Sequence, residues 1–206
     1  MDQLTKQLDD DILGFIRKSS RESFPELRFN DMALRLFDYQ FSHNTIYRNF
    51  CLGQSLSPDS VSSWEEEPAV PTLAFKALEM ACFPVERAVA LYISSGTTSG
   101  ESSRHYLETL DLYNESLRLN FASSVLPEGR PIKMLVLAPS PESMPNSSLA
   151  HMLQMVIGEF GSKGSDFYFS NGKLELTRLS QALRAAERDQ EPVCLLGTAL
   201  AFLHFL

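Results

Sequence analysis

Cysteine is scarce in this chain, and its pattern excludes two common kinds of site. The three cysteines, Cys51, Cys82 and Cys194, lie far apart, and no two of them form the closely spaced pair of a zinc or redox motif. An odd number of separated cysteines argues against a disulfide scaffold and favours a reducing compartment, so we predict a cytoplasmic protein. Each cysteine is expected to behave as a small apolar residue rather than a nucleophile.

Long apolar runs are also missing. The N-terminal region carries Asp9–Asp11 where a secretory signal needs an apolar core. The longest apolar run, from Val193 to Leu206, is interrupted by Gly197, Thr198 and His204 and is shorter than the roughly 20 residues that a membrane helix needs. We therefore predict no secretory signal and no membrane span, with a C-terminal membrane anchor as the less favoured alternative.

Positive charge is in deficit. The 206 residues include 18 lysines and arginines against 26 aspartates and glutamates, which gives a net charge of −8. Nucleic-acid and membrane-surface binders need a cationic face, so neither class is expected. The acidic balance still allows nucleotide binding, because backbone N–H groups can hold a phosphate on an acidic protein.

Residues 1–70 are predicted to form a helical N-terminal region. Apolar residues recur at helical spacing from Leu4 to Ile16, and Asn30 or Asp31 is expected to cap a second helix. The acidic run Glu65–Glu67 is expected to be a solvated surface, and the Pro68–Pro71 segment is expected to be an extended connector to the next region.

Residues 71–206 are predicted to form an α/β region. A buried strand is expected at Lys133–Ala138, a helix at Ser148–Phe160, and a hairpin turn at Asn171-Gly172. Strands that alternate with helices predict a mixed, partly parallel sheet flanked by helices.

The most informative segment is Ser94-Ser95-Gly96-Thr97-Thr98-Ser99-Gly100, called here the hydroxyl-rich segment. It follows an apolar strand pattern, Ala88–Ile93, and is expected to precede a helix from about Ser102 to Ser123. Glycines let consecutive backbone N–H groups point into one concavity, hydroxyls add donors, and a following helix turns its positive end toward that point. This arrangement predicts a phosphate-binding loop, with a flexible Ser/Gly linker as the alternative.

Better-known phosphate motifs do not fit this segment. A P-loop needs Gly-x-x-x-x-Gly-Lys-Ser/Thr, whereas Gly96 and Gly100 are separated by three residues and no lysine follows. A Rossmann fingerprint needs a third glycine and a later acidic residue. The four histidines form no HExxH motif.

The segment and its surroundings resemble the acyl-protein synthetase family, the long-chain-fatty-acid luciferin-component ligases within the adenylate-forming ligases. The matching stretches, in chain order, are Tyr39-Gln40, His43-Asn44, Tyr47-Arg48, Phe50-Cys51, Pro68–Thr72, Ala74–Lys76, the hydroxyl-rich segment, Ser103–Tyr106, Pro139–Glu142, Asn146–Leu149 and Leu196–Ala199. They run from about residue 30 to the end of the chain. The resemblance implies the fold of the first half of the large domain of these ligases.

The resemblance also implies a reaction and a set of site residues. A carboxylic, in particular a fatty, acid would be activated with ATP and Mg²⁺ to an acyl-adenylate, and the acyl group would then pass to a protein thiol. The residues implied to bind the ATP phosphates are Ser94, Ser95, Gly96, Thr97, Thr98, Ser99 and Gly100, with Arg104 or His105 as the cation beside them. Catalytic residues are not assigned, and no protein metal site is expected.

The family's chains continue well past the matched region, so we expect this chain to be an N-terminal half: a truncated chain, a fragment or one part of a split protein. The expected partners are a small carboxylic acid and an acyl-acceptor protein, and association into a homo-oligomer or with a complementary chain stays open. Two alternatives also stay open. One is a non-catalytic nucleotide-binding or assembly module that works with a partner chain, and the other is an unrelated anion-binding α/β domain.

Overall fold

The computed structural model describes residues 3–19, 25–94 and 102–205. The chain divides into two compact units, Met1–Glu115 and Ser116–Leu206. The predicted boundary at residues 70/71 concerns the change from helical to α/β structure and stays a prediction. No helix among the described residues is both long enough and apolar enough to cross a bilayer.

The first unit is mainly helical. Its elements are α1 (Gln3–Ser19), α2 (Glu26–His43), α3 (Thr45–Gly53), α4 (Ala74–Ala77), β1 (Ala90–Ile93) and β2 (Arg104–Leu107), with short 3₁₀ helices at Trp64–Glu66 and Val85–Arg87. The next helix, α5 (Asp111–Ser124), includes the division between the units. A core of Phe37, Tyr47, Cys51 and Val61 lies under α2 and α3.

The second helix begins earlier than the sequence suggests. The predicted caps Asn30 and Asp31 lie inside α2, which begins at Glu26 directly after Pro25. The Asn30 side chain instead donates to the Ser62 carbonyl at 3.2 Å and accepts from the Trp64 N–H at 2.8 Å. Asn30 therefore ties α2 to the Trp64–Glu66 turn rather than capping a helix. The predicted first helix is confirmed as α1.

The predicted helix from Ser102 is wrong in its first part. Arg104–Leu107 form β2, which pairs antiparallel with β1, and the helix begins only at Asp111, whose N–H donates to the Thr109 hydroxyl at 3.2 Å. Backbone pairing with β1 takes the place of helical hydrogen bonds in these four residues. The expected strand–loop–helix arrangement is therefore corrected: two antiparallel strands flank the hydroxyl-rich segment.

The second unit contains a parallel sheet. Its elements are β3 (Lys133–Leu137), α6 (Ser148–Phe160), β4 (Asp166–Phe167), β5 (Phe169–Ser170), β6 (Lys173–Leu174), α7 (Leu176–Arg188), β7 (Val193–Gly197) and α8 (Ala199–Phe205). The sheet has the order β4-β3-β7, and both neighbours run parallel to β3. The predicted α/β class with a partly parallel sheet is confirmed at this level.

Strand β3 is apolar along its length because both of its faces are covered. Leu135 and Leu137 pack into one core cluster with Leu179, while Val136 belongs to a second cluster with Leu153. Successive side chains of a strand point to opposite faces, so alternate residues supply the two clusters. The predicted strand, helix α6 and hairpin are confirmed.

Candidate functional site

Ser94 and Ser103, the one at the start of the hydroxyl-rich segment and the other shortly after it, are joined by two hydrogen bonds. The Ser94 N–H donates to the Ser103 carbonyl at 3.0 Å, and the Ser103 N–H donates to Ser94 Oγ at 2.8 Å. The contact between β1 and β2 therefore extends beyond the strand ends to Ser94 and Ser103. The predicted phosphate-binding residues Ser95, Gly96, Thr97, Thr98, Ser99 and Gly100 lie outside the described residues.

Arg104 and His105 follow the segment on β2, where they pair with Ile93 and Tyr92 of β1. The His105 ring stacks on Phe75, with ring centroids 5.1 Å apart, and its Nε2 lies 3.1 Å from Ser103 Oγ. Because neighbouring strand residues project to opposite faces, Arg104 and His105 begin on different sides of the sheet. The His105 ring is thus engaged by Ser103 and Phe75, and the choice between Arg104 and His105 as the cation beside the phosphates stays a prediction.

A cavity of about 790 Å³ lies in the first unit and is called here the aromatic cavity. Its volume is within the range of small-molecule sites. Its aromatic lining includes Tyr39, Tyr47, Phe75, Phe83, Tyr106 and Tyr113. Gln40, Asn44 and the stretch 68–70 also line it. Several of the separated stretches that carry the family resemblance therefore meet around one cavity.

The aromatic cavity is acidic. Asp9, Glu65, Glu67 and Glu108 line it, and none of its lining residues, all of them in the described part of the chain, is lysine, arginine or histidine. Burial, and next the repulsion from Glu108, raise the pKa of Asp9. Of these four carboxylates, all in the described part of the chain, Glu108 forms an ion pair, with Arg87. Such a lining disfavours the entry of a phosphate or a carboxylate.

Glu67 corrects the expectation that the glutamate run is a solvated surface. Glu66 accepts hydrogen bonds from the Ser62 and Ser63 N–H groups at 2.8 and 3.2 Å, and so caps the 3₁₀ turn. The next residue, Glu67, has one carboxylate oxygen buried without a hydrogen-bond partner, and burial raises its pKa. The sequence around Glu67 gave no signal for this burial, because a charged residue next to a proline is typical of an exposed segment.

Tyr47 fixes one wall of the aromatic cavity. Its side chain is buried, its hydroxyl donates to the Pro68 carbonyl at 3.1 Å, and its N–H donates to Asn44 Oδ1 at 3.0 Å. Burial raises the pKa of the phenol far above its ordinary value. Tyr47 is therefore a neutral donor that joins helix α3 to the Pro68 connector.

The cysteines are poor nucleophiles. Cys51 is fully buried, and Cys82 and Cys194 are partly buried. Burial raises the pKa of all three thiols, which favours the protonated thiol near neutral pH. The reactive form of cysteine is the thiolate. Among the described residues, no three or more His, Cys, Asp or Glu side chains are grouped to hold a metal ion.

A second cavity, of about 540 Å³, lies in the second unit and is called here the strand-end cavity. Pro139 follows β3, and Thr198 follows β7; both line it, as do Lys173 and His204. The remaining lining is mostly aliphatic. The sequence did not predict this cavity, although Pro139 and Thr198 belong to stretches that carry the family resemblance.

The chain is similar to a protein of known function. It is 24% identical over 195 residues to the long-chain-fatty-acid–luciferin-component ligase of Aliivibrio fischeri, an alignment that covers 94% of this chain and 50% of that protein. The resemblance predicted from the sequence is thus confirmed, and the chain spans about half the length of this relative. No family model matches the chain, and no solved structure matches it.

Proposed function

We propose that this chain, a homologue of a fatty-acid ligase, activates a carboxylic acid, foremost a fatty acid, with ATP and transfers the acyl group to a protein thiol. The observation that carries the proposal is the similarity to the Aliivibrio fischeri ligase along 94% of the chain. The fold class agrees with it, because the second unit is an α/β domain. We also propose that the fold is the first half of such a ligase's large domain and that the protein is cytoplasmic.

The proposed reaction has two balanced steps. A carboxylate oxygen bonds to the α-phosphorus of ATP while the bond from that phosphorus to the bridging oxygen breaks, and pyrophosphate leaves. The sulfur of the acceptor thiolate then bonds to the acyl carbon, and AMP leaves. The first step brings two anions together, so preorganised donors and cations have to offset the repulsion.

In this proposal the hydroxyl-rich segment binds the β- and γ-phosphates of ATP. Support comes from the hydrogen bonds between Ser94 and Ser103, and from Arg104, which follows Ser103 directly in the chain. Mg²⁺ would neutralise phosphate charge when bound. Mg²⁺ in nucleotide sites keeps several waters and takes one or two carboxylates, so a protein cluster of three ligands is not required.

The decisive experiment is ATP–pyrophosphate exchange by the purified chain with dodecanoate as the acid. We expect exchange that depends on the acid and a KM for ATP that rises about tenfold or more in Arg104→Ala, because a charged hydrogen bond to phosphate is lost. Arg130→Ala, at an exposed arginine, is the matched control. An unchanged KM in Arg104→Ala would remove Arg104 from the site.

The same assay separates the second candidate function. If the folded chain binds ATP in a direct titration but shows no exchange with any fatty acid, it is a nucleotide-binding module that works with a partner chain. If it neither binds ATP nor catalyses exchange, the proposed function is wrong.

A further inference from the structure

The strand-end cavity occupies a position that favours ligand binding. The chain runs from β3 to β4 on one side of it, and then crosses to β7 on the other side of β3. The strand order therefore reverses its direction at β3. In open α/β sheets, ligands bind outside the carboxyl ends of the strands at such a switch point. The register pairs Leu137 with Gly197 as the last residues of β3 and β7, and the cavity begins just beyond them.

The rim of the cavity is built by two specific backbone features. A Cβ on Gly197 would lie 3.0 Å from Leu137 Cβ and 3.1 Å from the Leu137 carbonyl oxygen, so glycine allows the two strand ends to approach. The hairpin turn Asn171-Gly172 has φ values of 50° and 76°, a left-handed geometry that suits these residue types. This turn places Lys173 on the rim.

The lining has the opposite charge to that of the aromatic cavity. Lys173 is cationic, and the His204 imidazole carries a hydrogen-bond donor in either protonation state. The Thr198 hydroxyl accepts from the Ala201 N–H at 3.2 Å and keeps its own proton for donation. None of the residues that line the cavity, all of which the structure describes, is an aspartate or glutamate.

The rest of the lining suits an alkyl chain. Leu174, Ala201 and Phe169 form inner walls, and the side chains of Leu176 and Leu200 lie at the opening, 48% and 61% exposed. A volume of about 540 Å³ lies within the range of small-molecule sites. A lining that combines apolar walls with the donors Lys173, His204 and Thr198 fits a molecule that has an anionic head and an apolar body.

We propose that the strand-end cavity binds the acid substrate, with its carboxylate at Lys173, His204 and Thr198 and its alkyl chain against the leucine-rich walls. The amphipathic carboxylate follows from the lining, whereas the choice of a fatty acid rests on the proposed function. The aromatic cavity is unsuited to this ligand because its carboxylates repel the head group. Lys173 is thus a substrate-binding residue that selects for charge, and the alkyl walls select for length.

The test is a titration of the full chain, without ATP, with dodecanoate below its micelle concentration, followed by ¹⁵N–¹H NMR. We expect shifts at Lys173, Thr198, Ala201 and His204. Dodecanol and dodecyltrimethylammonium, which have the same alkyl length, should bind at least about tenfold more weakly. Equal binding of the three compounds, or shifts confined to the first unit, would overturn the proposal.

Matched variants separate head-group binding from general charge. Lys173→Gln should weaken dodecanoate binding about three- to tenfold and leave dodecanol binding unchanged, the size expected of a solvated ionic contact. Lys163→Gln, at an exposed lysine in the same unit, should change neither. Leu200→Gln should weaken both compounds. Equal effects of Lys173→Gln and Lys163→Gln would contradict a specific site.

The outcomes also separate this inference from the proposed function. Binding of dodecanoate at the cavity with no pyrophosphate exchange would retain the site and refute the activity. Exchange whose KM for dodecanoate is unchanged in Lys173→Gln would retain the activity and refute the site.

Discussion

Glu67 provides a stability test in which the sign of the effect depends on pH. One of its carboxylate oxygens is buried in the aromatic cavity with no hydrogen-bond partner, and burial raises its pKa. A raised folded-state pKa means that the protonated carboxyl is favoured in the folded chain. The stability that this group contributes is therefore present below its unfolded pKa, near 4.3, and is lost as pH rises through the folded value.

Glu67→Gln keeps the shape and removes the charge. At pH 7 the variant should be more stable than the natural chain by about 1 kcal/mol, the lower end of the cost of a buried unsatisfied polar group, because Glu67 is only partly buried. Near pH 4, where the carboxyl is protonated, the difference should fall toward zero. The gain at neutral pH arises from the unpaired charge, since the amide occupies nearly the same volume.

The assay is urea unfolding followed by tryptophan fluorescence at pH 7 and at pH 4, with the free energy of unfolding compared between the two chains. Glu65→Gln is the control, because Glu65 lines the same cavity but is exposed, and it should change stability by less than about 0.5 kcal/mol. A destabilised Glu67→Gln at pH 7 would show that Glu67 is paired in the folded chain, and a gain that persists unchanged at pH 4 would show that the gain does not arise from its charge.

Two further substitutions test packing and hydrogen bonding. Gly197→Ala should destabilise the second unit by about 1–2 kcal/mol, because the new Cβ meets Leu137 at 3.0 Å. Gly158→Ala in helix α6, where a Cβ meets nothing within 4 Å, should stabilise it by about 0.5–1 kcal/mol. Thermal unfolding measures both, and a change of the unfolding temperature in the same direction for the two variants would contradict this prediction. Tyr47→Phe should cost about 1–2 kcal/mol, since the Pro68 carbonyl loses its 3.1 Å donor, and an unchanged unfolding midpoint would indicate that this bond is replaced by water.

The two cavities differ in the ligands that their charges allow. The aromatic cavity is lined by four carboxylates and no basic side chain, whereas the strand-end cavity has Lys173 and His204 and no carboxylate among its lining residues. In the proposed reaction a carboxylate meets ATP, and we propose the strand-end cavity as the place for that anion with its apolar body. The chemistry of the lining, rather than cavity size, distinguishes the two.

Elements with strong local signals could be predicted. Helix α6 begins after Ser147, whose hydroxyl accepts from the Ala150 N–H at 3.2 Å, and its apolar period identifies it without tertiary information. The hairpin at Asn171-Gly172 is equally local, because these residue types suit the required positive φ. The buried strand β3 was evident from its continuous apolar run, because a strand that is covered on both faces needs apolar residues at every position.

The errors occurred where distant pairing overrides local preference. Arg104–Leu107 carry a helix-like pattern, yet they pair with β1 as an antiparallel strand. Asn30 has the chemistry of a helix cap, but its side chain bonds to Ser62 and Trp64, more than thirty residues away. Such contacts depend on which segments meet after folding, and no window of local sequence contains both partners.

By itself the sequence determined the α/β class, the position of the hydroxyl-rich segment and the resemblance to fatty-acid ligases, because these depend on residue types at short spacing along the chain. The tertiary structure alone decided that one carboxylate oxygen of Glu67 is buried and that Lys173, Thr198 and His204 line the same cavity. The physical reason is that burial and charge at a cavity are sums over residues distant in sequence. Only the packed chain brings those residues together.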